Sequence, residues 1–157
     1  PKLTPTFSDI KIAIVGSGPQ EESYKRKVEQ FGLENNVYFT GALKQEEVFG
    51  YIQKSAIAYS DDWSEIGFPT KIFEYMAARR AIVAKRTKAV EELLGDDNSI
   101  LYSSRSELKE AFMKLMKNAN LRKALGENAR QGVIGNSWRN RAEELIRIYE
   151  HYSDQEE

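Results

Sequence analysis

The chain has 157 residues, a formal charge of −1, 41% apolar and 30% charged residues, the balance of one folded domain of ordinary size and not of a disordered chain. That near-neutral charge excludes a general nucleic-acid binder, which would be basic. With no cysteine and a single histidine, His151, the sequence excludes disulfides, thiolate metal sites, histidine metal clusters and histidine triads; no metal site is expected, and a reducing cytosolic setting fits.

Short apolar runs alternate with longer helical patterns, as in βαβ units around a parallel sheet. Residues 1–9, with Pro1, Pro5 and Ser8, read as loop. Ile10–Val15 reads as a buried strand, and Gly16-Ser17-Gly18-Pro19 as a turn. The segment from Gln20 to about Gln30 reads as a helix closed by Gly32. Asn35-Asn36 turns into a strand at Val37–Thr40, followed by a helix at Gln45–Lys54 and a strand at Ala56–Tyr59. Ser60–Pro69 is irregular. Thr70–Ala78 reads as a helix with Pro69 at its start, where a missing N–H costs nothing. Ala81–Ala84 is a strand, Val90–Leu94 a short helix and Ser99–Tyr102 the last strand. From Ser106 the pattern is helical, with breaks near Asn118–Asn120 and Gly132–Asn136. Ser137 caps a final helix to about Tyr152, and Ser153–Glu157 is a polar, frayed tail. No apolar run approaches a membrane span, and no signal-peptide pattern opens the chain.

Two segments have the pattern of an anion site. Gly16-x-Gly18 follows a strand and precedes a helix, where a backbone turn approaches a ligand and the helix N-terminus favours negative charge. The third glycine of a dinucleotide fingerprint is missing, since Glu22 falls near its place, and a tight βα turn explains the pair equally well. Gly67-Phe68-Pro69-Thr70-Lys71-Ile72-Phe73-Glu74-Tyr75-Met76 is a loop feeding a helix. There the amides of Phe68 and Thr70, the Thr70 hydroxyl and the Lys71 charge face a phosphate. Glu74 lies one turn further along the same face, where a carboxylate accepts both hydroxyls of a ribose. A proline-started helix with a surface lysine and glutamate is the plainer reading of the same letters.

From Ile10 to about Tyr152 the chain resembles the C-terminal, donor-binding lobe of family 4 glycosyltransferases, retaining enzymes of two Rossmann-like lobes (the GT-B fold). The resemblance rests on motifs in series: Ile12–Pro19, a strand followed by GxGP; Leu33–Gly41; Tyr51-Ile52 with Ala56–Ser60; Gly67–Ala84; Leu121–Arg130; and Ser137-Trp138 with Ile148–Glu150. It implies an α/β fold, a Rossmann-like parallel sheet with helices on both faces, as a single donor-binding domain over residues 1–157. It implies that Glu74 binds the donor ribose, that Gly67, Phe68, Thr70 and Lys71 hold the diphosphate and sugar, that Gly41, Ala42 and Leu43 lie beside the nucleobase, and that Gly16 and Gly18 form a floor nearby. The ligand is a UDP- or GDP-sugar acting as donor substrate, with no cofactor.

Departures from the pattern carry consequences. Ile66 stands where the family has its first, sugar-contacting glutamate; Glu65, one place away, is the catalytic candidate only through a loop shift. Ala78-Arg79-Arg80-Ala81 replaces the family's a-G-x-P, so the helix is expected to lack its left-handed cap, with both arginines at a helix C-terminus, where cations are favourable. The family's first strand and helix, with a basic pair that neutralises diphosphate, have no counterpart before Ile10. That strand is central in the sheet, so a borrowed strand, a gap or direct pairing of its neighbours is expected. Catalysis then requires an N-terminal acceptor lobe or a partner chain, located in the cytoplasm or, through that lobe, at the inner face of a membrane. The alternative is a non-catalytic or degenerate nucleotide-binding or partner module. An NAD-binding dehydrogenase domain rests on GxG alone.

Overall fold

The computed structural model describes residues 9–61 and 70–153. It divides into two compact units, residues 1–51 and 52–157.

The first unit is one βαβ motif. Strand β1, Ile12–Ile14, lies parallel to β2, Val37–Phe39, and helix α1, Glu21–Gln30, connects them. The register pairs Ile12 with Val37 and Ile14 with Phe39. Helix α1 begins with Glu21 and Glu22 and ends with Lys27, charges that complement its dipole. Its end follows the sequence: Gly32 takes φ 64°, its amide bonds to the Glu29 carbonyl, and the Leu33 amide reaches the Val28 carbonyl. These are the two bonds of a Schellman cap. Helix α2, Gln45–Lys54, runs from this unit into the next.

The second unit holds the core. Strands β3, Ile57–Ser60, β4, Ala81–Lys85, and β5, Ile100–Tyr102, form a parallel sheet in the order β3-β4-β5. Helices α3, Thr70–Ala77, α4, Lys88–Glu91, α5, Arg105–Lys117, and α6, Ala119–Val133, surround it. The central strand alternates between two faces. Ile82 and Ala84 pack with Ile72 and Met76 of α3, Val90 of α4, and Ala129 and Val133 of α6. Ala81 and Val83 pack with Ala111 and Leu115 of α5 and Leu125 of α6. Both faces of β4 are therefore covered, as expected for an apolar run in a parallel sheet. Helix α7, Trp138–Ser153, closes the chain; the Ser137 hydroxyl accepts from the Asn140 amide, as its capping role requires.

The expected parallel strands are present, β1 with β2 in the first unit and β3-β4-β5 in the second. Two expectations need correction. The short helix is Lys88–Glu91, not Val90–Leu94, because the Thr87 hydroxyl accepts from the Val90 amide and starts the helix earlier. The left-handed cap after α3 is present without glycine. Arg79 itself takes φ 55°, with its amide on the Met76 carbonyl and the Arg80 amide on the Tyr75 carbonyl. The expected first strand and helix would precede Ile10, where residues 1–8 lie outside the described residues, as do residues 154–157 of the expected tail.

Candidate functional site

Helix α3 supplies the second unit's candidate site. Its buried side, Ile72 and Met76, anchors it in the core, which leaves Thr70 and Lys71 exposed and Glu74 half-buried. The first turns of α1, α2 and α5 each carry glutamate, whereas the first turn of α3 has no acidic residue and contains Lys71. A helix N-terminus is already partially positive, so Lys71 adds to that field without neutralising it, and an anion there would be stabilised by both. Glu74 follows one turn later, and among the described residues its carboxylate has no hydrogen bond or ion pair. Thr70, Lys71 and Glu74 are thus brought onto one short helix, as the spacing predicts. Glu65, Ile66, Gly67 and Phe68 lie outside the described residues.

The glycines fall in the first unit. Gly16 takes φ 116° and Gly41 takes φ 68°, conformations that favour glycine. An antiparallel bridge joins them directly: the Gly16 amide donates to the Gly41 carbonyl at 3.1 Å and to the Thr40 hydroxyl at 3.4 Å. That amide is consumed by protein, so the turn after β1 is locked to the turn after β2 and Gly16 is no amide donor to a phosphate. The Gly18 carbonyl accepts from the Glu21 amide at the start of α1. Ala42 and Leu43 follow Gly41, exposed and half-buried respectively.

Arg79 and Arg80 act at helix C-termini. The Arg80 guanidinium donates through Nε to the Ala78 carbonyl and through Nη1 to the Gln53 and Ser55 carbonyls, so one side chain satisfies the ends of both α3 and α2. Arg79 forms an exposed ion pair with Glu127.

Sequence reasoning did not find a polar cluster at the C-terminal ends of β3 and β5. The Tyr102 hydroxyl donates to Asp61 Oδ1 at 2.9 Å and lies 2.9 Å from the Tyr59 hydroxyl. The two rings stack, and Tyr59 also tilts against Phe112. Burial first, then its bonds with Tyr59 and Asp61, push the Tyr102 phenol well above its usual range; burial likewise raises Tyr59. Tyr75, next to Glu74, donates to the Tyr59 carbonyl at 3.3 Å; its phenol is raised by burial and by the Glu74 charge. Beside this cluster Ser60 is 2% exposed, and its hydroxyl has no partner among the described residues. No sequence spacing marks the cluster, since its members come together only through the strand register. Among the described residues no three histidine, aspartate or glutamate side chains converge as for a metal, and no helix is long and apolar enough to cross a membrane.

A family model for glycosyl transferases group 1 matches residues 1–132. The uncharacterized glycosyltransferase MJ1069 of Methanocaldococcus jannaschii is 31% identical over 145 residues, covering 90% of this chain and 37% of that protein. Among solved structures, sucrose-phosphate synthase of Thermosynechococcus elongatus matches with a TM-score of 0.77 at 18% identity, over 92% of this chain and 39% of that one. HepE of Anabaena, in complex with UDP-glucose, matches with a TM-score of 0.69 at 18% identity, over 83% of this chain and 41% of that one. The fold shared with these structures is α/β, with parallel sheets flanked by helices. The chain spans about two fifths of the length of each of these proteins.

Proposed function

Because the chain belongs to the glycosyl transferases group 1 family, we propose that it is the nucleotide-sugar-binding part of a retaining, family 4 type glycosyltransferase, moving a hexose from a nucleoside diphosphate to an acceptor. The observation that carries this reading is the start of α3: a core-anchored helix with no acidic residue in its first turn, Lys71 adding positive charge, and, one turn along, Glu74 with no hydrogen bond or ion pair among the described residues. The donor's diphosphate sits at the amides and hydroxyl of Thr70, and its ribose diol donates to Glu74. Gly67 and Phe68 are further contacts to the diphosphate and sugar in this reading, and Glu65 is the candidate at the transferred sugar. UDP is the first nucleotide to test, since HepE holds UDP-glucose, and GDP the second.

Catalysis in this reading is positioning of an acceptor hydroxyl and stabilisation of the departing nucleoside diphosphate. Both need the acceptor lobe of a complete two-lobed enzyme, working in the cytoplasm or at the inner face of a membrane. Calorimetric titration with UDP and GDP tests the reading. Glu74→Ala should weaken the preferred nucleotide about tenfold, since a hydrogen bond to a charged group is worth ~1.5–3 kcal/mol. Unchanged affinity in a folded variant would remove Glu74 from the site.

A further inference from the structure

We propose that Asp61, held by Tyr102 and flanked by the Tyr59 hydroxyl, is a second hydroxyl-binding point of this unit and takes the sugar portion of the ligand. The inference rests on the donor-binding reading for the identity of that ligand, but its geometry stands separately. Asp61 directly follows β3, at the carboxyl end of a parallel strand, the side of such sheets where ligands bind. The cluster is a directed relay. Tyr102 is buried and gives its only hydroxyl proton to Asp61 Oδ1, so the proton between the phenols comes from Tyr59. Tyr59, 39% exposed, is left with lone pairs to accept, and the Asp61 carboxylate is held through Oδ1 by Tyr102.

Among the described residues the cluster therefore presents two acceptors on fixed supports, the Asp61 carboxylate and the Tyr59 hydroxyl. That selects the ligand's chemistry. A carboxylate repels phosphate, so the cluster is no part of a diphosphate site. One carboxylate beside two neutral phenols is too little charge and too few oxygens for a resident divalent cation. A neutral polyol, rich in hydroxyl donors, matches it. The Tyr75 bond to the Tyr59 carbonyl ties this strand end to the helix that carries Glu74, so both carboxylates sit on elements of one packed unit.

The test separates the sugar from the nucleotide. Titrating wild type, Asp61→Asn and Tyr102→Phe with UDP and with UDP-glucose should show UDP affinity unchanged in both variants. UDP-glucose affinity should fall about tenfold in Asp61→Asn, as for loss of a hydrogen bond to a charged group. Tyr102→Phe, which keeps the ring and frees the carboxylate, should show the same selective loss, smaller in size; a merely structural role would lower both ligands together. Glu74→Ala should weaken both ligands and mark the donor reading independently. Saturation-transfer NMR with free glucose, galactose and mannose adds a readout that needs no nucleotide: signals present with wild type should vanish in Asp61→Asn. Nucleotide binding with no selective effect at Asp61 overturns this inference and leaves the donor reading standing. Asp61-dependent hexose signals without nucleotide binding do the reverse. Absence of both sinks both.

Discussion

Arg79 holds a left-handed backbone at φ 55°, a region that costs an L-residue about 1–2 kcal/mol, and it does so against a glycine. A Cβ built on Gly126 of α6 would stand 2.2 Å from the Arg79 carbonyl oxygen, so α6 crosses the cap at backbone contact. Two opposite outcomes follow. Arg79→Gly should stabilise the second unit by about 0.5–1 kcal/mol, because relief of the left-handed strain exceeds glycine's extra entropy and the exposed Glu127 pair is worth little. Gly126→Ala should destabilise it by up to about 3 kcal/mol, since backbone cannot move aside as a side chain can. Denaturant midpoints measure both; a neutral Gly126→Ala would show that the crossing is looser than described. The sequence marked this place, through the missing glycine of the Arg79-Arg80 pair, but not its resolution: a required backbone turn is kept by the chain geometry around it even when the best residue for it is absent. The tyrosine cluster was not marked at all, and it has its own test in alkali. The folded-state pKa of Tyr102 is raised by burial, as are those of Tyr59 and Tyr75, so near the ordinary phenol value of about 10 the unfolded chain loses its proton first. The stability these groups contribute is complete below that pH and is lost as pH rises above it. Tyr102→Phe should therefore show a shallower loss of stability above pH ~10 than wild type. Parallel profiles would mean that the Tyr102 phenol is not the group responsible.

Helix and strand positions were legible because local rules set them. Gly32 ends α1, Ser137 starts α7, and the buried strand β4 reads as an unbroken apolar run. The break between α5 and α6 comes from one residue. Asn118 leaves the helical region, and its Oδ1 accepts from the Leu121 amide at 2.9 Å, which caps α6. Asn118→Ala should cost about 1 kcal/mol, and Asn118→Asp much less, since aspartate caps equally well. Matching losses for the two variants would assign Asn118 a role other than capping. In the candidate site, Thr70, Lys71 and Glu74 were legible for the same reason, being neighbours along one helix. Asp61 and Tyr102 were not, because the β3-β4-β5 register that unites them is decided by packing over both sheet faces. Which strand edges pair is not in the letters either: apolar runs announce strands but do not name their partners.

The two units differ most in what they bury. Every fully buried side chain among the described residues belongs to the second unit, from Ile52 onward; in the first unit the sheet residues Ile12, Ile14 and Tyr38 remain exposed. Composition forecast a chain able to bury a substantial core, and the chain has one, but composition carries no information about how unevenly burial is shared. A two-stranded sheet with a single covering helix is marginal in water, whereas three strands covered on both faces form a stable core. Local opening should follow that asymmetry. In native-state hydrogen exchange the Thr40 amide, bonded to the Ile14 carbonyl beside β1, should exchange at least about a hundredfold faster than the Val83 amide at the centre of β4. Helix α7, whose Trp138 is 90% exposed and whose Leu145, Ile146 and Tyr149 are largely uncovered, should exchange with the fast group, because intrahelical bonds without a packed apolar face give little protection. Denaturant should then melt the first unit and α7 before the second unit, so tyrosine and tryptophan signals should not change together. In a Trp63→Phe variant Trp138 reports α7, and the tyrosine signal lost in a Tyr59→Phe, Tyr102→Phe comparison reports the sheet. A single coincident transition, with Thr40 and Val83 protected alike, would mean that burial within each unit does not govern its stability.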